Sequence, residues 1–202
     1  MLDVETEGSA SLLSVSAFRD PEAYSLRVKK PGSDEVVERP VDLVETFNWL
    51  IGLHVELLDR PRTFTAGFER ESDPELPDDQ HTRLKVQGRL QETEDWKTSA
   101  DGLPPSVWWF RTVEGYVRRT PGSDEDRENV LVIWRKLSDD PERDAAVLQA
   151  LLDKLKVSSA DTEFDTIYVN GTHGLRLPGD AKARLLSLEE TFLARMWDTE
   201  DR

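Results

Sequence analysis

The residues best placed to do chemistry close the run VLVIWRKL (130–137), where Trp134 and Arg135 follow four aliphatic residues. Such a run reads as a strand buried on both faces. In open α/β sheets ligands gather at the carboxyl ends of strands, and a Trp plane beside an Arg can stack a base or hold a phosphate. The competing reading places Trp134 in the core and Arg135 in an ion pair. Arg118 and Arg119 end the aromatic segment VWWFRTVEGYVRR (107–119) and would add charge to the same patch. Asn170, Gly171 and Gly174 lie in NGTHG, after the apolar segment FDTIYV. No helix starts directly after them, so a tight turn at Asn170–Gly171 is a simpler reading than a phosphate cradle. A small enzyme with its active site around Trp134, Arg135 and Asn170 is one outcome these positions allow.

Other chemistries lack their residues. The chain has no cysteine, which excludes disulfides, thiolate metal sites and cysteine nucleophiles. His54, His81 and His173 form no H-x-x-x-H or H-x-H pair, so no metal site is expected. Carboxylate pairs such as Asp78–Asp79, Asp139–Asp140 and Glu189–Glu190 are ordinary in a chain with 41 acidic residues. There is no nucleophile elbow, no Walker loop and no G-x-G-x-x-G. The sequence DPEAY (20–24) looks like a degraded D-P-P-Y, the motif that holds the target amine in amino-methyltransferases. Its second proline is missing and Tyr24 comes one residue late, so it reads as a turn. No catalytic, cofactor-binding or metal-ligating residue can be named.

The balance of 41 acidic against 26 basic residues, a net charge of −15, repels phosphate backbones in general. Adaptation to high salt (a halophilic surface) and mimicry of DNA both account for it. The dispersion of the acids along the chain favours the first. With 37% hydrophobic residues and six Trp, the 202 residues can build a real core. No apolar run approaches a membrane span and no signal peptide opens the chain, so a soluble, cytoplasmic protein is expected.

The elements that must position these residues follow from periodicity and punctuation. YSLRVKK (24–30) and EVVERPV (35–41) read as a hairpin across PGSDE. VDLVETFNWLIGL reads as a helix over 42–52, capped by Asp42 with Glu45 three residues on and left through Gly52. Leu43, Val44, Phe47, Leu50 and Ile51 share one face, and Trp49 points away from it, beside Glu45. LHVELL (53–58) and TRLKVQGRLQ (82–91) read as strands, while 59–81 and 91–105 read mostly as loop. The first of these loops could divide two lobes; one α/β domain over 1–202 is the preferred reading. Asp140 and Pro141 open a helix over 141–156 that buries Val147, Leu148, Leu151, Leu152 and Leu155. Strand 130–137, this helix and strand 164–169 form a βαβ unit with parallel strands. A last helix opens at Ser187, with Glu190 as its capping partner, and buries Leu188, Phe192, Leu193 and Met196. The expected fold is α/β: a mixed sheet with a C-terminal βαβ unit and flanking helices.

SLLSVSAFRDPEAYSLRV (11–28), VDLVETFNWLIGLHV (41–55), VLVIWRKL, FDTIYVNG and SLEETFLARMW (187–197), in this order, resemble the C-terminal region of type III restriction–modification methyltransferases. These are the Mod-type, adenine-specific DNA methylases. The resemblance implies S-adenosylmethionine, DNA and methyl transfer to adenine, all belonging to an upstream catalytic domain. The F-x-G-x-G and D-P-P-Y motifs of that domain are absent here, so no cofactor is expected in this chain. The implied role is that of an accessory region, as the tail of a larger methylase or as a separately encoded remnant. Its implied partners are the methylase catalytic domain or subunit, DNA, and a restriction subunit. Trp49, with Glu45, would then face a partner. The candidate contacts for DNA or a partner are Trp49, Arg118, Arg119, Trp134, Arg135 and Asn170. The rival from another class is a stand-alone acidic interaction protein that mimics DNA.

Overall fold

The computed structural model describes residues 18–72, 82–94, 106–157 apart from 121, 122 and 124, and 161–197 apart from 172, 176, 178 and 180. Residues 11–17 of the resembling segment, His81 and Asp78–Asp79 lie outside the described residues.

The α/β expectation holds, and its centre is a mixed seven-stranded sheet. β8 (Val107–Arg118) and β9 (Arg127–Arg135) are its long antiparallel pair. β10 (Thr166–Val169) and β11 (Arg184–Ser187) continue from β9 as parallel strands. On the other side of β8 lie β3 (His54–Leu58) and β4 (Arg62–Thr65), both antiparallel to it, with β7 (Gln91–Thr93) outside β4. β3 and β4 thus form one interrupted line along a single edge of β8. β1 (Ser25–Lys29) with β2 (Val36–Pro40), and β5 (Phe68–Ser72) with β6 (Thr82–Val86), are separate antiparallel ribbons.

Both faces of the sheet are covered, which explains the unbroken apolar run in β9. Its Leu131 and Ile133 point into one core, with Trp108, Phe110 and the buried stripe of α2 (Pro141–Lys154). Its Val130, Val132 and Trp134 point into the other, with α1 (Leu43–Ile51), α3 (Leu188–Trp197) and Phe18. A strand packed on both faces cannot alternate apolar and polar residues.

Local punctuation behaves as the residue types dictate. The Asp42 side chain accepts from the Glu45 N–H at 3.0 Å, and Gly52 leaves α1 in the left-handed region. Asp140 caps α2 through the Arg143 N–H at 3.1 Å, with Pro141 in the first turn. Ser187 accepts from the Glu190 N–H at 3.3 Å. DPEAY is a turn, closed by Ala23 N–H to Asp20 O at 3.1 Å.

Two segments differ from expectation. The stretch 59–81 is not mostly loop in its described part, since β4 lies in the main sheet and β5 forms a ribbon with β6. Pro61 and the flanking charges hide a strand whose hydrogen bonds come from β8, far away in sequence. The stretch 91–105 begins with the short strand β7 for the same reason, its pairing with β4. β11 has no counterpart among the strands read from the sequence; its four residues run straight into α3.

Candidate functional site

At the carboxyl ends of β9 and β10 the structure brings Arg135 and Asn170 together, as their positions suggested, but inside the molecule. Arg135 is 2% exposed and Asn170 is 0% exposed. The Asn170 side chain acts as an extra piece of backbone. Its Oδ1 accepts from Arg135 N–H at 2.8 Å, and its Nδ2 donates to Arg135 O at 2.8 Å and Phe18 O at 2.7 Å. The Arg135 guanidinium donates to three carbonyls: Asn170 O at 2.9 Å, Asp144 O at 3.1 Å and Gly171 O at 3.4 Å. Gly171 N–H donates in turn to Glu189 Oε1 at 2.6 Å. The Asp144 carboxylate accepts from Trp108 Nε1 at 3.0 Å and from the Ser138 hydroxyl at 2.8 Å.

Burial pulls the Arg135 guanidinium down to about 10, against the opposing pull of Asp144 and Glu189, so it stays charged at neutral pH. This network ties β9, β10, α2, α3 and the segment at Phe18 to one another. Buried polar groups of this kind stabilise only when every donor is matched. Trp134 is also fully buried, stacked on Phe18 at 6.4 Å and edge-on to Phe47 at 6.0 Å. Trp134, Arg135 and Asn170 therefore present no surface to DNA or a partner. The expectation for these three is corrected, because helices on both faces close over the strand ends.

The remaining candidates lie outside. Arg119 donates to Glu128 at 3.1 Å, and Arg118 lies 5.7 Å over the Tyr116 ring. Bonds from Thr166, Arg119 and Arg184 hold the Glu128 carboxyl below its usual value, although its burial opposes this. Trp49 is 80% exposed on the outer side of α1, whose inner residues Leu43, Val44, Phe47 and Ile51 are buried. α1 leads directly into β3, where Val55, Leu57 and Leu58 are also exposed. Close packing of β3 on β8 depends on Gly115, where a Cβ would lie 2.2 Å from His54 O.

Of the histidines, His54 stacks on Tyr116 at 4.9 Å, and His173 Nδ1 accepts from the Leu175 N–H at 3.1 Å. Burial lowers the His173 pKa, and the charge of Arg135 lowers it further. Among the described residues no group of three or more His, Asp or Glu is arranged to hold a metal ion. Among them, too, no helix is long and apolar enough to cross a membrane.

One surface feature went unseen in the sequence. A cavity of about 20 Å3 lies between β4, β8 and the last turn of α2, lined by Arg60, Arg62 and Lys154 over Phe64, Phe110 and Leu151. The signal was there in DRPRTF (59–64), two arginines one residue apart in an acid-rich chain, but the segment reads as loop. Lys154 reads only as a cation at a helix end. No protein-family model, no curated protein and no solved structure matches this chain.

Proposed function

We propose that this chain is a non-catalytic accessory domain that docks on the catalytic part of a Mod-type adenine-specific DNA methyltransferase and helps to hold its DNA. The reading joins the resemblance of 41–55, 130–137 and 164–171 to the distribution of chemistry in the fold. The single observation that carries it is Trp49, a large aromatic left 80% exposed on a helix whose other face is buried. Exposed aromatics anchor interfaces because they remove much apolar area from water on docking while ordering few rotatable bonds. Val55, Leu57 and Leu58, on the strand that α1 enters, would extend the apolar area. The groups at the strand ends are occupied by one another and are not offered to a substrate. S-adenosylmethionine belongs to the catalytic part.

The test is association in solution. Calorimetry of this chain against a Mod-type catalytic part lacking its own C-terminal region should show binding, and Trp49→Ala should weaken it by about 2 kcal/mol or more. No association of the unaltered chain, or robust methyl transfer by this chain alone, would end the proposal. Mimicry of DNA draws on the net charge of −15. It predicts competition with DNA for unrelated DNA-binding enzymes and indifference to Trp49→Ala.

A further inference from the structure

The cavity beside α2 is unusual for this chain. Three cations and no carboxylate line it, in a protein with 41 acidic and 26 basic residues. Arg62 is held by Asp59, which also accepts from the Thr112 hydroxyl at 2.9 Å. Burial opposes ionisation of Asp59, but the bonds from Arg62 and Thr112 and the charge of Arg60 keep its carboxyl below its usual value. Arg62 is thus fixed in position with part of its charge spent. Arg60 and Lys154 form no ion pair among the described residues. Lys154 Nζ lies 4.6 Å from the centre of the Phe64 ring, which holds the ammonium at the rim of the apolar floor. A cation favouring the C-terminal end of α2 accounts for Lys154 alone. It does not account for Arg60 and Arg62 lining the same cavity. Asp59 is one carboxylate against three cations, so a net like-charge repulsion remains that an oxyanion between them would reduce. The cavity has room for about one water-sized atom, the size of a single phosphoryl oxygen.

We propose that this notch is a phosphoryl-binding site, with Arg60 and Lys154 closing on the anion and Arg62 as a positioned third donor. The proposal deepens the DNA-holding part of the function proposed above and rests on that part only for the source of the phosphoryl group. Inorganic phosphate titrated into isotope-labelled protein, at ionic strength held constant with chloride, should shift the side-chain signals of Arg60, Arg62 and Lys154 saturably. Arg60→Gln, an exposed change outside the strands, should weaken the response about tenfold, and Arg60→Gln with Lys154→Gln further still. Arg27→Gln on β1 should leave it unaltered, and thermal melts check that each variant is folded. An equal shift with chloride alone, or a phosphate response undiminished in folded Arg60→Gln, overturns the site. Displacement of phosphate by a DNA duplex assigns the group to a nucleic-acid backbone; a duplex without effect assigns it to a free phosphoryl ligand. Failure of the docking reading leaves this titration intact, whereas absent phosphate shifts with intact docking remove only this site.

Discussion

Arg135 and the Arg60–Arg62 pair carry the same side chain and meet opposite fates. Arg135 stands at the carboxyl end of a central strand, where ligands commonly bind, but every arm of its guanidinium is taken by a carbonyl of its own fold. Arg60 and Arg62 stand in a segment that reads as loop, yet with Lys154 they line one cavity, and only Arg62 of the three is paired with a carboxylate among the described residues. What separates the two regions is saturation. A buried cation whose donors are matched by nearby acceptors is part of the scaffold. A group of cations on a rim with donors to spare is available to something else. Residue type and strand-end position do not distinguish the two, and the surroundings do.

The contrast can be broken at its buried end first. Arg135→Met should cost about 3–5 kcal/mol, because it leaves Asp144, Glu189 and three carbonyls without their cation. Urea denaturation measures it, and a loss similar to that of a surface arginine would place Arg135 outside the scaffold. Gly171 supports the same network at positive φ, where a Cβ would meet Leu137 Cδ1 at 2.6 Å. Gly171→Ala should cost about 1–3 kcal/mol, and Leu137→Ala beside it should recover only part of this, since the backbone strain remains.

Two carboxylates on opposite faces of the sheet sharpen the comparison through pH. The Glu128 pKa lies below its unfolded value, so its stabilisation is present above the unfolded pKa and is lost as pH falls through the folded one. Glu128→Gln should therefore cost about 1 kcal/mol near neutral pH and much less in acid. Glu114 behaves in reverse: burial, Asp59 and Glu163 raise its pKa, so ionisation opposes folding as pH rises through that value. Glu114→Gln should raise the melting temperature at neutral pH and lose that advantage in acid. Smallest is Trp49→Ala, expected to move stability by no more than about 0.5 kcal/mol because the side chain is solvated. A large loss would make Trp49 part of the fold and not a docking residue.

Much of the architecture was legible. The capping residues Asp42, Asp140 and Ser187, the stripes of α1 and α2 and the parallel pair β9–β10 all follow from local rules. β4, β5, β7 and β11 were not legible, at four, five, three and four residues. Strands that short have too few positions to show a period, and each exists because another strand supplies its hydrogen bonds. The candidate site divided along the same line. Trp49 was legible because a helix assigns an outward face by angle alone. The burial of Arg135 and Asn170 was not, because it depends on what closes over the strand ends.

The amino-acid sequence by itself determined the helices, the long strands, the absence of thiol chemistry and the outward position of Trp49. These depend on neighbours within a turn or two, whose spacing the chain carries with it. Only the tertiary structure decided which polar residues are used up internally and which stay open to a ligand. Hydrogen-bond saturation and desolvation are set by groups brought from remote parts of the chain, as Phe18 and Asn170 are brought to Arg135 and Lys154 to Arg62.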